Sequence, residues 1–285
     1  MICASAILLL AAFVDESGRV GAVELFGYAG LDAAAIRAAV GVKPGDQFPP
    51  RNEVTRRVRS QIGKEITFTR VCCNPEGRSV LFVGVPGDSA RALTYRPAPN
   101  GSERAPKPVL AAYNAEMDAV SAMVRGKAKD FEKESAALRT AAAAHEEVLY
   151  TVLEQSSEWL DRAAAAHGLG KLPATPKIVK SLTNAVNDAN SVVRNNATRA
   201  LGVYAGDAKL RPLISGEPFI EMLWSLDWTD RNKALMVLSE LVKDDNPALL
   251  KALREKAAVP LKEMAAWTSE GWAYSAREIL KRFPD

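Results

Sequence analysis

Two histidines, His145 and His167, are the first residues to consult for catalysis or metal binding, and neither has the neighbours such work needs. A metal site asks for cysteine, histidine or carboxylate at fixed short spacing. Each histidine stands instead in an alanine-rich helical context suited to packing or exposure. There is no Gly-x-Ser-x-Gly, no His-Glu-x-x-His and no phosphate-cradling loop, and Gly84-Val85-Pro86-Gly87 reads as a strand end and turn. No catalytic residue, metal ligand or cofactor contact is assigned, which points to recognition rather than reaction. Four of the five tryptophans, Trp224, Trp228, Trp267 and Trp272, crowd towards the C-terminus. Such aromatics either anchor a partner or, at helical spacing, fill a core. The run Arg51, Arg56, Arg57, Arg59, Lys64, Arg70 is opposed only by Glu53 and Glu65. It is either a solvated helix face or a contact for anionic lipid headgroups or an acidic partner, with Arg56, Arg57 and Arg59 as the membrane-surface candidates. Without interleaved aromatics it does not favour nucleic acid.

The elements that must position these residues come from a chain of 285 residues, 48% hydrophobic and 25% charged, with a formal net charge of +3. At about 150 residues per domain this is room for two domains with an ordinary core. Residues 1–144 carry 19 Lys/Arg against 15 Asp/Glu, and residues 145–285 carry 18 against 19. The second half therefore has no surplus of charge with which to seek a polyanion. Residues 1–14, with an apolar run from Ala6 to Val14 and small residues at Ala11 and Ala12, read as an export signal, which predicts a periplasmic or extracellular protein. No Lys or Arg precedes the run, so a misassigned start or a buried first strand in a cytoplasmic protein are the alternatives. The run is too short to span about 30 Å of hydrocarbon. Cys72 and Cys73 are adjacent, and on a strand they point to opposite faces; a vicinal disulfide is the sharper alternative.

From Val20 the hydrophobic period predicts strand, helix, helix, strand, strand. Asp32 is suited to cap the first helix and Gly41 to stop it; Asn52 is suited to cap the second, which ends at Gly63. The alternation from Ile66 to Cys73 and the return through Val80–Val85 predict a hairpin. Val23-Glu24-Leu25-Phe26-Gly27, a helix, and then Val42-Lys43-Pro44-Gly45-Asp46 resemble the POTRA domain of bacterial envelope proteins over residues 20–87. That resemblance implies an exported α+β domain that often lends a sheet edge to a passing strand. The alternative is a small α+β domain that only packs against the rest of the chain.

Residues 88–108 lose periodicity and gather Pro97, Pro99, Pro106 and Pro108, which predicts an extended linker. Helical patterning resumes over 109–144, broken near Gly126, and predicts a cap for a helical stack. Residues 145–285 repeat Arg-x-x-Ala-x-x-x-Leu at Arg162/Ala165/Leu169, Arg194/Ala197/Leu201 and Arg231/Ala234/Leu238, with an Arg-less echo at Ala276/Leu280. The alanines recur after 32, 37 and 42 residues, as expected for about four stacked helical pairs. Asp188, Asn190, Asp227 and Asp230 stand between the helices of a pair as candidate caps.

The stretch Asn187-Asp188-Ala189-Asn190-Ser191-Val192-Val193-Arg194-Asn195-Asn196-Ala197 resembles HEAT repeats. The resemblance implies an all-α solenoid behind the α+β domain and a structural ladder of Asp188, Arg194, Asp227 and Arg231. It also implies a concave face of second helices on which Asn195, Asn196, Arg199, Trp228, Lys233 and Tyr274 would meet a protein partner. The function expected is a non-enzymatic protein-binding or scaffold module of the bacterial envelope. The alternative is a HEAT-type DNA-binding or alkylpurine-repair protein, faintly mimicked by Trp224, Asp227, Trp228 and Asp230. Against it, this half lacks the positive charge that supplies most DNA affinity.

Overall fold

The computed structural model describes residues 19–72, 74, 77–124 and 126–283; the expected export signal over 1–14 and Cys73 lie outside them. The described residues form two compact units. Unit 1 takes residues 19–93, Leu223–Asn232 and residues 250–283, and unit 2 takes Thr94–Met222 and Lys233–Leu249. The sequence pattern divides the chain consecutively, at 20–87, 88–108, 109–144 and 145–285. The spatial grouping does not follow that order, because the C-terminal segments carry the side chains that cover the N-terminal sheet.

In unit 1, β1 (Val20–Phe26), α1 (Ala33–Val40), α2 (Arg51–Ile62), β2 (Thr67–Val71) and β3 (Ser79–Gly84) realise the expected β-α-α-β-β order. The sheet order is β1-β3-β2, with β1 parallel and β2 antiparallel to β3. Asp32 caps α1 by accepting from the Ala34 amide at 2.8 Å, and Gly41 ends it at φ 61°, a left-handed conformation that glycine adopts without strain. α2 starts two residues earlier than expected: Pro50 precedes it without a side-chain cap, so Asn52 lies inside the helix. One face of the sheet is built from Val23, Leu25, Leu81 and Val83, which pack with Ile36, Val40, Val54 and Val58 of the two helices. The alternate residues Glu24, Phe26 and Phe82 are also buried, so both faces of this sheet are covered. In the same unit, α12 (Glu270–Lys281) comes after the end of α11 (Pro247–Ala265).

In unit 2, α3 (Lys107–Val124) and α4 (Glu132–Ala144) precede the pairs α5 (Glu146–Gln155) with α6 (Trp159–Leu169) and α7 (Pro176–Ala185) with α8 (Ser191–Ala205). α9 (Glu217–Met222) and α10 (Trp228–Leu241) continue the alternation, and α10 and α11 each contribute residues to both units. The signature residues do what their sizes suggest: Ala165, Leu169, Ala197 and Leu201 are fully buried where α6 packs on α8. Every residue of α6 from Asp161 to Leu169 is buried, because α3, α4, α5, α7 and α8 all pack against it. No helix among the described residues is long and apolar enough to cross a membrane.

Candidate functional site

In every pair that carries it, the signature arginine donates to the carbonyl six residues before it. Arg162 reaches Ser156 at 2.9 Å, Arg194 reaches Asp188 at 2.9 Å, and Arg231 reaches Ser225 at 2.5 Å. Each bond closes the turn between the two helices of a pair and satisfies a carbonyl that has left the helical ladder. The rest of each guanidinium is used differently. Arg162, 1% exposed, forms a bidentate pair with Asp188 of the next helical pair at 2.8 and 2.9 Å. Arg194 lies 3.6 Å from the centroid of the Tyr95 ring, and Asp188 also takes Arg96 at 3.6 Å. Asp188 thus lies between Arg162, its closest partner, and Arg96. Asp227 accepts from the Thr229 amide at 2.8 Å, and Asn190 from that of Val192 at 2.9 Å, both as caps.

Unit 2 also holds part of the linker as an extended peptide. The Arg96 amide donates to the Asn187 carbonyl at 2.8 Å, the Gly101 amide to Gln155 at 2.9 Å, and the Ser157 amide returns to the Gly101 carbonyl at 3.0 Å. Any side chain at position 101 would collide with the Gln155 carbonyl, so glycine is required there. Arg96 and Gly101, five positions apart, thus bond to the turns of successive helical pairs. Proline suits this segment because a strand held by alternate amides can spare the others.

The second-helix face of the first pairs, expected to meet a partner, is occupied by α3. Asn196 is buried and donates to the Tyr113 hydroxyl at 3.3 Å and the Ala163 carbonyl at 3.1 Å. Tyr113 meets His167 edge-on, and Glu116, 1% exposed, takes Lys171 at 2.5 Å and stands 3.4 Å from His167. Burial disfavours charge on Glu116, yet His167 and Lys171 outweigh it and hold the carboxyl below its usual range. Burial pushes His167 down despite Glu116, and pushes the Tyr113 phenol up. Arg199, half-buried, is lowered to about 10 by burial. Lys233, 2% exposed, is held well below the usual lysine range by burial and then by the charge of Arg199, and its amine lies 3.9 Å from the Met236 sulfur. The expectation that Asn196 and Lys233 present themselves to a partner is therefore corrected: helix-borne polar residues at these positions are consumed inside the unit. Asn195 remains half-exposed, and Tyr274 on α12 is 63% exposed.

Trp228 requires the same correction. It is 2% exposed in a cluster where Phe82 of β3 meets Trp228 at 4.8 Å, Trp267 at 5.0 Å and Trp272 at 5.7 Å between ring centroids. Asp230 is bound by the Ser225 hydroxyl at 3.0 Å, and the Trp224 indole donates to the Lys256 carbonyl at 2.9 Å. The four residues that mimic a repair enzyme thus each have a packing or hydrogen-bond partner within unit 1. The same unit holds two buried carboxylates, Glu24 and Glu263, to which the sequence pattern assigns no role. Glu24 accepts from the Ser269 amide and hydroxyl, both at 2.9 Å, and from Thr268 at 2.7 Å. Glu263 accepts the Gly27 and Ala29 amides at 2.8 and 2.9 Å and the Ser89 hydroxyl at 2.5 Å, with Arg231 at 3.6 Å. Burial lowers Arg231 to about 10. The Trp267 indole donates to the Leu25 carbonyl at 2.8 Å, so the outer edge of β1 is blocked as a template for a strand and β2 is left as the other edge of the sheet.

On α2, the expected contact residue Arg57 is consumed: it pairs with Glu53 and donates to the Ala39 and Val40 carbonyls at the end of α1. Arg51, Arg56 and Arg59 line an open groove. Among the described residues no group of three His, Cys, Asp or Glu side chains could hold a metal ion.

No curated protein sequence matches the chain. Among solved structures, a designed armadillo repeat protein is similar at 16% identity and a TM-score of 0.42, covering 53% of this chain and 69% of that one. An engineered protein is similar at 18% identity and 0.42, covering 61% and 78%. A second designed armadillo repeat protein, in complex with the peptide (KR)4, is similar at 17% identity and 0.40, covering 53% and 69%. Residues 146–216, which contain the pairs α5/α6 and α7/α8, match the family described as HEAT repeats.

Proposed function

We propose that this chain is a non-enzymatic protein-binding scaffold of the bacterial cell envelope. The observation that carries the reading is the linker held by unit 2: the turns between paired helices already bind an extended peptide through its backbone amides at Arg96 and Gly101. Recognition of this kind needs outline and main-chain groups rather than reactive side chains. With α3 seated on the second helices, the surfaces left for a partner are Tyr274 on α12, Asn195 on α8 and the edge strand β2. The β-α-α-β-β order agrees with the POTRA resemblance and hence with an exported protein. The apolar run Ala6–Val14 and the disulfide-bonded Cys72 fit an oxidising compartment.

The test places a photo-crosslinking side chain at position 274, 195 or 69 in the native host, with Lys209 as an exposed control. One or more of the three is expected to trap a discrete envelope protein that the control does not. Adducts no different from the control at all three positions would refute the scaffold reading. Amino-terminal sequencing of periplasmic material is expected to begin near Ala12, and recovery only from the cytosol with Met1 intact would remove the envelope assignment.

A further inference from the structure

Four arginines stand within nine residues of α2, and they are put to three different uses. Arg57 is structural, tying the end of α1 to Glu53. Arg59 pairs with Glu65 at 2.9 Å. Arg51 and Arg56 are exposed and meet no acid among the described residues. Arg51, Arg56 and Arg59 line one groove of about 620 Å³ with Asn52, Thr55 and Glu65.

The lining says what the groove can take. It has no aromatic or aliphatic side chain to anchor an apolar group, and protein interfaces rely on such anchors at their centres. It does have three guanidinium forks, whose planar donors match phosphate oxygens and are worth more there than a lysine point charge. Arg56 and Arg59, one turn apart, repel one another, and only Arg59 has a carboxylate, that of Glu65, to offset it among the described residues. A volume of this size accommodates a headgroup or a small phosphorylated molecule rather than a folded segment.

We propose that the α2 groove binds phosphate oxyanions through Arg51 and Arg56, assisted by Arg59 when it releases Glu65. This holds whether or not the chain is a scaffold. An anionic phospholipid headgroup and a soluble phosphate share the chemistry, and the experiment separates them. The full chain and Arg51→Glu/Arg56→Glu are compared by cosedimentation with phosphatidylcholine vesicles containing phosphatidylglycerol, with pure phosphatidylcholine vesicles, and by calorimetric titration with inorganic pyrophosphate. Expected is binding to the phosphatidylglycerol vesicles, to pyrophosphate or to both, weakened by added salt and at least about tenfold weaker in the double variant. Vesicle binding without pyrophosphate binding identifies a membrane surface as the source, and the reverse identifies a soluble ligand. Arg57→Gln is the control: it is expected to lower Tm while leaving binding by the folded protein unchanged. Circular dichroism checks the double variant, and Arg51→Gln/Arg56→Gln replaces it if it fails to fold. The proposal is overturned if neither probe binds, if the double variant binds as well as the parent, or if only an acidic peptide binds.

Discussion

The two units carry the same signature arginine and compensate its buried charge by different means. In unit 2, Arg162 finds a carboxylate one helical pair along the chain and binds it with both forks, side chain to side chain. In unit 1, Arg231 stands 3.6 Å from Glu263, and that carboxylate's short bonds go to the backbone amides of Gly27 and Ala29 at the end of β1. The first solution is local and can be copied from repeat to repeat. The second joins residues 236 apart in sequence and cannot recur, because it depends on one strand meeting one helix end. A repeat motif thus fixes the geometry of its own turn, while the counter-charge is set by whatever lies beyond that turn.

The strongest way to break this contrast is Asp188→Ala, which strands Arg162 in the interior of unit 2. A loss of about 3–5 kcal/mol is expected in urea unfolding, and Arg162→Met/Asp188→Leu is expected to recover most of it, since a buried pair is often replaceable by apolar packing. A loss below about 1 kcal/mol would mean the pair is not the rung it looks like. In unit 1 the matching change is Glu263→Gln. It keeps the shape but removes the charge that holds two amides, and is expected to cost about 2 kcal/mol by the same measurement.

Acid should separate the units. His167 is pushed below its ordinary 6.5 by burial, so the unfolded chain takes up its proton first. Because the unfolded state then binds more protons, stability falls as pH drops below about 6.5, by at most about 1.4 kcal/mol per pH unit for one group. Thermal melts between neutral pH and mild acid are expected to show this fall, and His167→Gln to flatten it; an unchanged slope would exclude His167 as its origin. The smallest effect sharpens the description of unit 1: Trp267→Phe keeps the ring against Phe82 but deletes the bond to the Leu25 carbonyl, at about 1 kcal/mol.

Legibility in the sequence divides along the same line. The paired helices within residues 146–216 are legible because their apolar spacing and turn residues repeat, and Asp32, Gly41 and Asn190 announce helix ends by local chemistry alone. The β-α-α-β-β order is legible from the change of period. The partner face is not. Asn196 looks like an exposed polar residue until α3 is known to lie on the second helices, and only an odd signal, the acid Glu116 on the otherwise apolar face of Tyr113 and Val120, hints that α3 has a polar neighbour. Trp228 reads as core more readily than as anchor, and Phe82, its neighbour by 146 positions, decides the matter. Long-range partners of single residues leave no periodic trace, so no window of sequence contains them.

The clothing of Phe82 by Trp267 and Trp272 has a temporal side. These tryptophans are synthesised well after β3, so a nascent chain that has completed all three strands still presents one bare sheet face and the unanswered amides of Gly27 and Ala29. Folding from the N-terminus as synthesis proceeds, the habit of most multidomain chains, stalls here until α11 and α12 emerge. Unit 1 is in this sense a clasp whose two halves lie far apart along the chain, and it cannot shut until both have been made.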